Sequence, residues 1–286
     1  MYRSVIALTF AGLCGLASVP ALAGYDEGLA AFNQQDYATA KVELLPPAER
    51  GDAESQYHLA RSYQRMQGVA QDYKQAEHWY IKAATQGLIK AQRHLANFYA
   101  SGKGIVLNYR QALHWYTQAA EQGDVLSQSN IGFMYENGLG MEIDYQQALH
   151  WYGMAAEQGD ADSQNNLGHM YEIGQGAPQD YQLAVSWYGK SADQGNAEAQ
   201  KNLGMMYELG RGVAHDYKQA AFWFGKSAAQ GNPIAQGILG NYYRLGRGVV
   251  QDIIEAERLL TAAAKNGNHW AGTKLKQLRA AKKSEQ

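Results

Sequence analysis

Gly189-Lys190-Ser191 and Gly225-Lys226-Ser227 both spell the three residues that close a phosphate-binding loop. Such a loop works because free backbone N–H groups at a helix start can cradle a phosphate. It also needs a glycine five residues before the Gly-Lys pair, and Ala184 and Ala220 stand there. Both triplets fall in the middle of a predicted helix, where the N–H groups are already used, so they are read as accidental.

Histidines offer a second arrangement. His78, His114 and His150 recur at one spacing, and His58 and His94 share another column. Ligands of one zinc ion converge at about 2 Å from it, whereas neighbouring helix axes lie about 8–10 Å apart. Ser186, Phe222 and Arg258 continue the first column, which reads as a tolerant surface position rather than a metal ladder. The chain has no S-x-x-K, G-x-S-x-G or H-E-x-x-H pattern. The expectation is therefore no enzyme, no cofactor and no metal.

The chain opens with a different signal. Met1-Tyr2-Arg3 is a short positive start, residues 4–19 are apolar apart from three hydroxyl residues, and Pro20-Ala21-Leu22-Ala23 ends in a small-x-small pattern. This predicts a secretory signal peptide over residues 1–23 and an exported protein, periplasmic or secreted. Leu13 before Cys14, and the apolar residues after it, argue against a lipid anchor. Cys14 is the single cysteine, so cleavage leaves no disulfide, no catalytic thiol and no thiolate zinc site. No later segment approaches 18 apolar residues, so no transmembrane segment is expected in the mature chain. A net charge of −2 without long runs of either sign disfavours nucleic acid.

The largest signal is a period. Trp79, Trp115, Trp151, Trp187 and Trp223 are each 36 residues apart, and glycines from Gly51 to Gly267 keep the same spacing. Asp36, Asp72, Asn108, Asp144, Asp180, Asp216 and Asp252 hold it too. Six repeats of 36 residues fill 51–266, preceded by a capping helix pair over 24–50 and followed by a capping helix and basic tail over 267–286.

Each repeat reads as two helices. In the second, Ala148, Trp151, Tyr152, Ala155 and Ala156 form one apolar stripe. Asp144 is expected to cap it, with Gln147 completing a capping box; Asp72/Gln75, Asn108/Gln111, Asp216/Gln219 and Asp252/Glu255 repeat the pairing. Gln158-Gly159 ends the helix. The first helix carries Gln128, Ile131, Gly132 and Tyr135 on one stripe. Gly168, Gly204 and Gly240 repeat Gly132, and Ala60 and Ala96 precede it, so small residues are expected to admit a bulky tryptophan or tyrosine of the partner helix. The connection 136–144 holds paired glycines that turn the chain. Gln56, Gln92, Gln128, Gln164, Gln200 and Gln236 lie on the apolar stripe; their buried amides are expected to bond the backbone of the preceding repeat rather than a ligand.

Residues 163–195, SQNNLGHMYEIGQGAPQDYQLAVSWYGKSADQG, closely resemble the Sel-one-like repeat, a relative of the tetratricopeptide repeat, and the pattern holds across roughly residues 53–266. The resemblance implies an all-α fold, a right-handed α/α superhelical solenoid of 36-residue helix-turn-helix repeats. It also implies an adaptor for other macromolecules, without chemistry of its own in most members. Cysteine-rich secreted members are associated with β-lactam hydrolysis, a lesser alternative here because their cysteine pairs are missing.

By analogy with tetratricopeptide domains, partners are expected on the concave face, from helix-one positions offset from the apolar stripe. Tyr57, Arg61, Arg65 and Arg93 make its early part basic, with Asn97 beside them. Phe133, Asn165 and His169 follow in an acidic middle, then Lys201, Met205 and Asn241. The expected partner is a protein or extended peptide, its acidic part near Arg61, Arg65 and Arg93. A cell-envelope glycan, peptidoglycan or exopolysaccharide, is the alternative. Tyr57, Phe133 and Trp270 are the aromatic rings expected to be exposed for it.

Overall fold

The structure, a computed structural model, describes residues 24–65 and 72–284. The expected signal peptide and Cys14 lie outside the described residues. Among those described there are fifteen helices and no strand. Two compact units divide the chain, one ending at Ala91 and the other starting at Gln92. The first contains α1 (Tyr25–Asn33), α2 (Tyr37–Glu49), α3 (Ala53–Arg65) and α4 (Tyr73–Thr85), and the boundary falls in α5 (Ile89–Ser101). The second continues with α6 (Tyr109–Ala120), α7 (Val125–Asn137), α8 (Tyr145–Glu157), α9 (Ala161–Ile173) and α10 (Tyr181–Asp193). It ends with α11 (Ala197–Leu209), α12 (Tyr217–Ala229), α13 (Pro233–Leu245), α14 (Ile253–Lys265) and α15 (His269–Ser284). Consecutive helices pack as pairs, which is the construction of an all-α solenoid.

Local chemistry starts each helix. Asp144 accepts from the backbone N–H groups of Gln146 and Gln147, both at 3.0 Å, a cap that contributes about 1 kcal/mol. The expected capping box does not form there. The Asp144 N–H donates instead to the Tyr135 carbonyl at 3.0 Å, so no donor remains for Gln147. Asn108, Asp216 and Asp252 are used in the same way by Tyr99, Tyr207 and Tyr243. A second row of caps, Asp124, Asp160, Asn196 and Asn232, starts the first helices. Gly138 and Gly140 take φ of 65° and 79° in the expected turn, and a side chain on Gly140 would lie 2.6 Å from Tyr109 Cβ.

Small residues do admit a bulky one. A methyl group on Gly168 would lie 2.6 Å from Tyr188 Cδ1, and Gly132 and Gly204 stand equally close over Tyr152 and Phe224. All three rings are fully buried. In the first pair, Gly28 sits over Leu44 in the same manner. The ring that enters is the one directly after the tryptophan, Tyr152, Tyr188 or Phe224, and not the tryptophan itself. Trp79, Trp115 and Trp223 are buried, whereas Trp151 and Trp187 are only half-buried. Trp187 packs against a cluster formed by Ala148, Tyr152 and Ala156 of the preceding repeat with Leu167 and Met170 of its own, and Lys190 stands over its ring.

The glutamine column couples successive repeats. Gln164 Nε2 donates to Ala156 O at 3.0 Å, and its Oε1 accepts from Gln194 Nε2 at 2.8 Å. Gln128 and Gln200 bond Ala120 and Ala192, and accept from Gln158 and Gln230. In the first unit, Gln56 does the same with Ala48 and Gln86. The donors Gln86, Gln158, Gln194 and Gln230 form a second glutamine column at the ends of the second helices. Asn266 stands at its final position, one methylene short, and Gln236 Oε1 is buried without a hydrogen-bond partner.

Candidate functional site

Both Gly-Lys-Ser triplets are consumed by packing. The first lies inside α10 and the second inside α12. Ser191 Oγ donates to Ala161 O at 2.6 Å and Ser227 Oγ to Ala197 O at 2.7 Å. Lys190 Nζ stands 3.8 Å over the Trp187 ring, and Lys226 4.6 Å over Trp223. His78, His114 and His150 are exposed, each edge-on to the following tryptophan. Among the described residues no three His, Cys, Asp or Glu side chains gather to hold a metal ion. None of the described helices is long and apolar enough to cross a membrane.

The outward face of the first helices has two characters. In the first unit Arg61 is half-buried, its guanidinium 4.6 Å from the Phe32 ring centre and 5.5 Å from that of Tyr57. Lys90 stands over Tyr57 and pairs with Glu54. Tyr57 itself is 3% exposed, so it is not the open aromatic expected from the sequence. The cations that surround it shield the ring. Arg65 is exposed. Behind this face, Tyr80 donates to Gln64 Oε1 at 2.8 Å, and burial raises the Tyr80 phenol well above its usual range.

In the second unit Arg93 pairs with Asp124, the cap of α7. Part of its charge is therefore spent inside the fold. Exposed Asn97 accepts from the hydroxyl of Tyr116, whose pKa burial pushes up to about 12. Phe133 is 51% exposed and Trp270 45%, as the sequence led us to expect. His169 is exposed; Asn165, Lys201, Met205 and Asn241 are half-buried. Asn165 accepts from Asn202 at 3.0 Å, Lys201 pairs with Glu198 at 2.7 Å, and Asn241 accepts twice from Arg244.

Carboxylates line the same face. Tyr152 donates to Glu136 Oε2 at 2.8 Å and Tyr188 to Glu172 Oε2 at 2.7 Å. Burial first, and the adjacent carboxylate second, hold both phenols far above their ordinary range. Glu172 Oε1 also lies 3.6 Å from Arg211 Nη1. These pairs were not anticipated from the sequence. Their signal is a tyrosine sixteen residues after a polar side chain, as in Gln64/Tyr80, Glu136/Tyr152 and Glu172/Tyr188; where Ala100 stands at that spacing, Tyr116 uses Asn97 instead.

None of the curated proteins matches the chain. Among solved structures it is similar to a protective antigen of uropathogenic Escherichia coli strains, described as displaying an SLR fold, at 36% identity and a TM-score of 0.79. That match covers 82% of this chain and 50% of the antigen, so the chain spans about half of that relative's length. It is also similar to a Sel1 repeat protein from Oxalobacter formigenes, at 36% identity and a TM-score of 0.77 over 89% of this chain and 75% of that one. The Sel1 repeat family matches six times, over residues 53–88, 89–124, 125–160, 161–196, 197–232 and 233–268. With helix pairs and glutamine ladder repeating at this spacing, the chain belongs to the Sel1 repeat family, whose solenoid is a protein-interaction scaffold and typically non-catalytic.

Proposed function

We propose that this protein is an exported, non-enzymatic scaffold of the cell envelope that binds a peptide or protein segment on the concave face expected from the solvent-facing sides of its first helices. One observation carries the reading. Ile131, Leu167, Leu203 and Leu239 keep one buried column alike, while the column two residues on changes from Phe133 to His169, Met205 and Asn241. Residues spent on packing repeat, and those left facing water differ, as expected where a partner is read. Export rests on the leader pattern of residues 1–23, and cleavage there would expose Gly24 as the first residue.

Photoreactive residues at positions 61, 93, 133 and 205, in the native envelope, test this. A discrete protein adduct from these positions, absent from second-helix positions 78 and 150, is the expected result. Adducts that disappear on muramidase treatment would instead make the partner a glycan. Equal labelling at both sets would end the assignment of the face.

A further inference from the structure

On the outward face of the second unit, apolar side chains stand about half open to solvent. Phe133 is 51% exposed, Ile173 45% and Leu209 48%. Serine or asparagine at these positions would cost the core little, and Asn137 does fill the column of Ile173 and Leu209 one repeat earlier. Glu136, Glu172 and Glu208 recur at one position in the same three repeats, each directly before that column. Glu136 and Glu172 are held from behind by the buried hydroxyls of Tyr152 and Tyr188, which fixes the side chain while its charge remains.

The cations near this row are largely engaged. Lys201 is bound to Glu198 at 2.7 Å, and Arg211, 3.6 Å from Glu172, lies over the Tyr181 ring. The row ends where Arg244 takes the glutamate position.

Resting on the scaffold reading above, we propose that the second unit docks an extended peptide whose cationic and apolar side chains alternate, the cations meeting the glutamate row and the apolar groups covering Phe133, Ile173 and Leu209. Side chains of successive first helices touch, Ser163 with Ser129 at 2.9 Å and Asn202 with Asn165 at 3.0 Å, which suits axes about 8–10 Å apart. An extended chain advances about 3.3 Å per residue. The matching segment therefore repeats about every three residues. Charge complementarity makes this occupant basic, opposite in sign to a partner of the cationic first unit.

Fluorescence anisotropy on the full chain, with a labelled peptide of Lys-Ser-Leu repeats and its Glu-Ser-Leu counterpart, tests the docking. The lysine peptide is expected to bind, with affinity falling as salt rises and the glutamate peptide much weaker. The triple variant Glu136→Gln, Glu172→Gln, Glu208→Gln keeps an acceptor for each tyrosine and should weaken binding about tenfold. Phe133→Ser with Leu209→Ser should weaken it without changing the salt dependence. Equal binding of both peptides, or no loss in the triple variant with an unchanged melting curve, overturns the inference. If neither peptide binds while positions 133 and 205 still crosslink a protein, the inference falls and the scaffold reading stands. If those positions also label nothing beyond the second-helix controls, both fall.

Discussion

Gln64 in the first unit and Glu172 in the second occupy the same place in their repeats and accept the same hydrogen bond. Tyr80 donates to one at 2.8 Å, Tyr188 to the other at 2.7 Å. Packing demands an acceptor for a buried phenol, because an unpaired hydroxyl there costs about 1–3 kcal/mol. It does not demand a charge. The first unit meets the demand with a neutral amide among Arg61, Arg65 and Lys90, and the second with a carboxylate beside Ile173 and Leu209. One scaffold thus carries two surfaces of opposite sign, and the difference lies where the fold is indifferent.

Alkaline pH should strain what the two units share. Tyr80, Tyr152 and Tyr188 all have phenol pKa values raised by burial above the ordinary 10.0. The unfolded chain then ionises first, so their contribution is whole below about pH 10 and is lost as pH rises toward the folded values. Each pH unit above about 10 should remove about 1.4 kcal/mol per buried tyrosine, measured by urea unfolding from pH 8 upward. Tyr188→Phe should flatten that slope; an unaltered slope would mean that this phenol does not sense burial.

A smaller effect separates the units by their choice of small residue. The first has buried Ala60 at the register position of Gly168, and the second places Gly168 2.6 Å (as measured to an added methyl) from Tyr188. Gly168→Ala gains about 1 kcal/mol of helix propensity but overpacks by about 1–3 kcal/mol. A net loss of up to about 2 kcal/mol in thermal or urea unfolding is expected, and a stabilised protein would refute the close contact.

The smallest effect is the most discriminating. Glu172→Gln preserves the acceptor and should change stability by no more than about 0.5 kcal/mol, since its pair with half-exposed Arg211 is weak. Glu172→Ala should cost about 1–3 kcal/mol by stranding the Tyr188 hydroxyl. Equal losses in the two variants, read from unfolding midpoints, would show that the charge does serve the fold.

Much of this architecture was legible from the residues alone. Asp144 caps its helix, Gly138 and Gly140 turn the chain, and Gln164 bonds the preceding repeat, each as its type and position led one to expect. The failures share a cause. Gln147 was expected to reach back to Asp144, but the Tyr135 carbonyl, nine residues earlier, already holds that N–H. Tyr57 was expected in the open, but Arg61 and Lys90 cover its ring. Both depend on which surfaces meet, not on the residue's own propensity.

By itself the sequence determined the period, the helix pairs, their caps and the small residues beneath the tyrosines. These follow from contacts within a few residues and from a spacing of 36 that never slips. Only the tertiary structure decided which columns face one another. Gln164 meeting Gln194, Tyr188 meeting Glu172 and Arg93 meeting Asp124 are pairings at separations of 30, 16 and 31 residues. In a strictly periodic chain every column has the same spacing as every other. Periodicity therefore cannot rank such pairings, and the geometry of packed helices must.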